Sequence, residues 1–179
     1  MDGVRIEVKA ESALNTLSEA SQRLSQPLEM WQAIGRAMVD STRRRFNAGA
    51  GPGGVRWKPS IRVMRDGGKT LIGVDGESRA EMGILGGLMG SITYEADADG
   101  VRWGSNAIHA RIHQMGGVIK PKRAPALAFR IGDRTIFADS VTIPARPYLG
   151  LDDGDFATIE DIVLDKLDQA FGGAADGGR

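Results

Sequence analysis

The two histidines of this chain, His109 and His113, stand at i and i+4, a spacing that on a helix puts both imidazoles on one face, as in zinc sites of the H-E-x-x-H type. Such a site activates a metal-bound water, with the Glu after the first histidine as general base. Here that position is Ala110, followed by Arg111, whose charge opposes a bound cation. The chain has no cysteine and no other histidine, so a third ligand would have to be a distant carboxylate. The alternative is a bracing role: one histidine packs, while the other, with Gln114, hydrogen-bonds backbone near a turn at Gly116 and Gly117. No G-x-S-x-G elbow, P-loop or strand-linked G-x-G-x-x-G is present, and Gly86-Gly87 is turn chemistry like Gly116-Gly117. No catalytic residue, metal or cofactor is expected.

Phosphate binding is the other chemistry to weigh. Arg43, Arg44 and Arg45 precede Arg56, Lys58, Arg62, Arg65 and Lys69, and Phe46 or Trp57 could stack on bases. Only 6% of residues are aromatic and the formal charge is zero, which argues against a dedicated nucleic-acid binder and leaves passing contact with DNA inside a channel. The charge is unevenly spread. Between Trp31 and Thr70 nine cations meet two anions, a net +7, whereas between Leu151 and Ala170 seven anions meet one cation, a net −6. A chain polarised in this way can bind copies of itself head to tail, closing a ring when the rotation per subunit allows it. Alternatively both stretches are solvated helix faces.

The elements that must carry these residues follow from periodicity. A length of 179 residues, 41% hydrophobic and 26% charged, suits one α+β domain over residues 1–171, with a disordered tail at 172–179. No apolar run approaches the roughly 20 residues of a membrane span, and no secretory signal is visible, so synthesis and assembly in the cytoplasm are expected. Val4, Ile6 and Val8 alternate with charged residues as in a strand. A helix follows from Ser12 to about Leu24, and a second carries Leu28, Trp31, Ile34, Ala37, Met38 and Ser41 on one face up to Phe46. Gly49 to Gly54 predicts an exposed loop, and residues 47–80 a flexible loop and arm. Trp57 more often anchors such a loop than binds a base.

Further on, Ile84 to Gly90 reads as a helical turn, and Ser91–Ala96 with Val101–Gly104 as a hairpin about Asp97–Gly100. Asn106–Met115 reads as a short helix. Residues 126–131, 135–137 and 141–143 add antiparallel strand. The last helix spans about Asp153 to Phe171, with Phe156, Ile159, Ile162, Val163, Leu167 and Ala170 inward and its acids outward. The whole is an antiparallel sheet packed against two N-terminal helices and a C-terminal one. Pro144 and Pro147 fix φ around Arg146, presetting its guanidinium for a carboxylate, a backbone carbonyl or an intrachain salt bridge.

Five segments in this order carry a resemblance: Trp57-Lys58-Pro59-Ser60; Ile84-Leu85-Gly86-Gly87-Leu88 with Ser91-Ile92; Trp103-Gly104-Ser105-Asn106; Ile112-His113-Gln114 with Gly116-Gly117; and Ile143-Pro144-Ala145-Arg146-Pro147-Tyr148-Leu149-Gly150. Together, over about residues 28 to 170, they resemble the phage virion morphogenesis family, which includes Mu-like virion morphogenesis proteins and the tail completion proteins of P2-like phages. Gly86-Gly87 departs from the Thr-Gly usual before the Leu. The resemblance implies a non-enzymatic virion protein at the head-tail junction with a tail-terminator-like fold. Its expected role is tail completion: a ring, expected to be hexameric, that caps the tail tube and allows head joining. Expected partners are further copies of itself, the tail tube protein and the connector or neck proteins, with no membrane. The alternatives are a head-completion or neck protein on the connector side, or a DNA-contacting module. Arg43, Arg44, Arg45, Trp57, Arg62, Arg65, Arg146, Asp161 and Asp165 are the candidate subunit or partner interface. The arginine-bearing helix is expected to face the acidic one across subunit boundaries. His113, Gln114, Gly116, Gly117, Pro144 and Pro147 are the candidate structural turn.

Overall fold

A computed structural model describes residues 18, 27–71, 87–131 and 134–172. The N-terminal strand, all but Ser18 of the first helix, most of the arm beyond Leu71 and the last seven residues lie outside the described residues. Helix α1, Leu28–Ala48, is the spine of the fold. Its buried stripe is Ile34, Met38, Ser41, Thr42, Arg45 and Phe46, recurring at helical intervals. Leu28 is exposed, so the apolar face begins a turn later than expected and runs on through Arg45. Gly35 sits where α1 crosses β1, Ile92–Ala96, and a Cβ there would overlap the Tyr94 ring. Only glycine lets helix and strand approach this closely.

Strand β1 pairs with β2, Val101–Ser105, in the expected hairpin, with Tyr94 opposite Trp103. Asp97 makes the turn: its Oδ1 accepts from the backbone N–H of Asp99 at 2.9 Å and of Gly100 at 3.0 Å. Upstream, a 3-10 turn at Pro52–Gly54 and an isolated bridge between Ala50 and Arg56 give the glycine-rich stretch a defined path. Ala50 and Gly51 are buried there, against the expectation of an exposed loop. Ser60 then caps α2, Ile61–Asp66, by accepting from the Val63 N–H at 3.3 Å. A single turn, α3, Gly87–Gly90, enters β1.

The second half adds α4, Ala110–Met115; β3, Gly117–Ile119; β4, Leu127–Ile131; β5, Arg134–Ala138; β6, Val141–Ile143; and α5, Asp153–Gly172. Helix α4 starts four residues later than predicted. Among the described residues the strands of this α+β fold form three two-stranded antiparallel pairs, β1-β2, β3-β6 and β4-β5, where one sheet was expected. Short strands and glycine-marked junctions at 116 and 117 break the ladder between pairs.

Helix α1 packs on both strands of the first hairpin and on α5. The core gathers Val39, Phe46, Trp57, Leu88, Ile92, Ala110 and Tyr148. Phe46 is its hub, with ring centroids 5.5 Å from Trp57 in an edge-on arrangement and 5.1 Å from Tyr148. Burying one such side chain stabilises by roughly 1.5–3 kcal/mol.

Candidate functional site

The segment 143–150 is held from several sides. Its backbone has no regular partner of its own after β6, so side chains from elsewhere satisfy it. Gln114 supplies most: its Oε1 accepts from the N–H of Tyr148 at 2.9 Å and of Leu149 at 3.0 Å, and its Nε2 donates to the Leu149 carbonyl at 3.0 Å. Trp57 Nε1 donates to the Pro147 carbonyl at 2.9 Å. Arg146 lies 4% exposed, and its guanidinium donates to the backbone carbonyls of Lys58 at 2.8 Å and Pro59 at 3.4 Å. Of the alternatives left by the flanking prolines, the backbone carbonyl is the one realised. Burial lowers the Arg146 pKa and raises that of Tyr148, whose hydroxyl donates to the Ala110 carbonyl at 3.1 Å.

The histidines belong to the same clasp. Their rings meet edge to face with centroids 5.8 Å apart, so the predicted shared face is real. Burial, helped by the charges of His109 and Arg146, pushes the His113 pKa down to about 4. Its Nδ1 is buried with no hydrogen-bond partner among the described residues. His113 contributes its backbone carbonyl, which accepts from the Arg146 N–H at 2.8 Å. Among the described residues no group of three His, Asp or Glu side chains could hold a metal ion. Gly116 follows with φ of 70°, and a Cβ there would lie 2.7 Å from the Ala145 nitrogen and 3.0 Å from the Ile143 oxygen. This turn needs glycine on conformational and steric grounds together. Gly117, read as part of the turn, opens β3 and pairs with Ile143.

A second buried constellation joins α1 to the start of α5. Arg45 donates to the carboxylate of Asp155, to Asp152 Oδ2 at 2.9 Å and to the Gly150 carbonyl at 2.7 Å. Ser41 donates its hydroxyl to Asp155. Asp152 and Asp155 also cap each other reciprocally: the Asp155 N–H donates to Asp152 Oδ1 and the Asp152 N–H to Asp155 Oδ2, each at 3.1 Å. The hydrogen bond from Arg45 is the main cause holding the Asp152 carboxyl below its usual range. Arg45, expected at a subunit boundary, thus makes its ion pairs inside the chain, because it falls on the buried stripe of its helix.

The candidate interface thus divides. Arg45, Trp57 and Arg146 are buried and occupied within the chain. Arg43, Arg44, Asp161 and Asp165 are exposed; Arg43 reaches the Ile92 carbonyl at 3.3 Å and Asp165 accepts from Gln169 at 2.7 Å. Arg62 and Arg65 lie on α2, Arg65 exposed and the side chain of Arg62 outside the described residues. On α5, Phe156 points outward and Asp155 inward, against the expected pattern, since the capping pair turns Asp155 toward Arg45. Asp152 and Asp155 escaped the sequence reading as partners of Arg45, as did the bond from Ser41, which was placed only on the inner face of its helix. Their signal was present in the D-x-x-D start of the last helix and in Arg45 standing seven residues after Met38 on the apolar stripe.

An open cleft of about 340 Å³ lies over this ion pair, lined by Arg44, Ala48, Gly54 and Gly154 among others. Among the described residues no helix is long and apolar enough to cross a membrane. No curated protein and no solved structure matches the chain. The model of the phage virion morphogenesis family matches residues 8–168, spanning all five motif segments from Trp57-Lys58-Pro59-Ser60 to the clasped 143–150. The chain belongs to the phage virion morphogenesis family, whose proteins are structural parts of the virion.

Proposed function

We propose that the protein is a tail-completion protein of the terminator kind, acting at the head-tail junction as a ring that caps the tail tube and presents a surface to the head. The observation that carries the reading is the division of labour in the chain. The motif residues are spent on internal hydrogen bonds, while large apolar side chains such as Phe137, Met115, Phe156 and Leu164 stand exposed beside charged ones. A subunit built to pack against copies of itself and against a tube needs such surfaces. The zero net charge with opposed halves supports self-association in register. Tail tube protein and connector proteins are the partners this reading names, and DNA passes through the ring without being bound for its sequence.

Electron microscopy of particles assembled without the protein tests the assignment. Overlong, unjoined tails, returned to normal length when the protein is supplied, are the expected outcome. Tails of normal length that fail to join heads would move the protein to the connector side and sink the terminator reading.

A further inference from the structure

Arg45, one of the basic partners expected for the acidic helix α5, is spent inside the chain on Asp155 and Asp152. The outer face of α5 nevertheless combines exposed Phe156 and Leu164 with Glu160, Asp161 and Asp165. A surface of the opposite kind exists elsewhere. Among the described elements the β4-β5 hairpin packs chiefly on itself rather than on the helices. Phe137 on β5 is 71% exposed. From Lys120 to Ala138 five cations stand against one anion, with Lys122, Arg123 and Arg134 exposed. The outside of α5 is apolar and acidic, whereas the hairpin and the segment leading into it combine an exposed Phe137 with exposed cations.

We infer that the β4-β5 hairpin of one copy docks on the outer face of α5 of the next copy, with Phe137 seated near Leu164 and Phe156 and the cations of the hairpin and of the segment leading into it over Asp161 and Asp165. The occupant is a second copy because this one chain carries both halves of a complementary pair on different elements. Two unlike patches on one subunit make a head-to-tail contact, which repeats and closes when the rotation per subunit is right. Apolar contact supplies affinity, and the charges fix which copy sits where and repel hairpin from hairpin. This inference rests on the ring reading above and names the surfaces that build it.

The chain has no cysteine, so a Phe137→Cys, Leu164→Cys double variant carries a unique thiol pair at two exposed positions. Virions assembled with it, treated with a short bis-maleimide and run on a denaturing gel, are expected to give a ladder of linked subunits, whereas either single variant gives none. Wild-type protein present in virions, with the double variant present but unlinked, would overturn the hairpin–helix contact and leave the ring reading standing. Linkage of the Phe137→Cys single variant to itself would overturn it too, since that requires a symmetric contact. Wild-type protein absent from virions would remove the ring reading itself. In light scattering, Asp161→Lys with Asp165→Lys is expected to lower the assembled mass, and adding Lys122→Glu with Arg134→Glu to restore it; charge reversal without effect counts against the contact.

Discussion

Arg45 shows how one side chain can organise three parts of a chain. It leaves α1, reaches the carbonyl of Gly150 and holds both carboxylates that cap α5. With Arg45 7% and Asp155 4% exposed at the side chain, removing the cation strands a buried anion. Arg45→Ala is therefore expected to destabilise the fold by about 3–5 kcal/mol, measured as a drop in the urea midpoint. A loss below about 1 kcal/mol would mean that the pair is dispensable. Protons act on two residues in separate windows. His113 has a folded pKa of about 4 against an ordinary 6.5, so the unfolded chain binds its proton first. Stability is complete above 6.5, falls as the pH drops toward 4, and His113→Gln should flatten that slope in thermal unfolding against pH. Asp152, held below its ordinary 3.8, contributes stability above that value and loses it as the pH falls through its lower folded one, a contribution that Arg45→Ala should abolish.

Elements here take their orientation from a few polar residues rather than from apolar count alone. On α5 the pattern Phe156, Ile159, Ile162, Val163, Leu167 and Ala170 predicted an inward Phe156, yet the Asp152–Asp155 capping pair rotates the first turn so that Asp155 enters and Phe156 leaves. Phe156→Ser is accordingly expected to change the stability of the isolated subunit by no more than about 0.5 kcal/mol, while a loss of several kcal/mol in thermal unfolding would restore the inward reading. At the opposite limit, Gly116→Ala should destabilise by about 1–3 kcal/mol in the same assay, because the added methyl meets backbone at Ala145 and Ile143. The β1-β2 hairpin was legible in full, since alternation and an Asx turn are local signals. The division of the strands into three pairs was not, because pairing depends on which distant segments satisfy one another.

At the scale of the molecule, three of the five motif segments meet in one clasp, where Trp57 meets Pro147, Gln114 meets Leu149 and Arg146 meets Lys58, and the described parts of the other two meet each other through Ser91 and Ser105 at 2.6 Å. These contacts give the subunit one rigid interior, and the outer faces of α5 and the β4-β5 hairpin are left for other copies. Assembly through such faces should weaken as salt rises from about 0.05 to 0.5 M, because exposed charge pairs are screened within a Debye length of roughly 10 Å or less. Sedimentation at the two salt concentrations checks this, and an unchanged distribution would mean that charge has no part in the contact.

Local patterning alone determined the α+β class, the long helices, the first hairpin and membership of a virion morphogenesis family, because periodicity, turn residues and ordered motifs are properties of neighbouring positions. Chain order could also place Arg45, Trp57 and Arg146 among the candidates. Only the tertiary structure decided that all three face inward, since burial depends on how α1, α5 and the segment 143–150 meet. The same packing left Phe137, Phe156 and Leu164 outside. Which side of a helix becomes surface is settled by the partners it finds, and those lie about a hundred residues away from Arg45 in the chain.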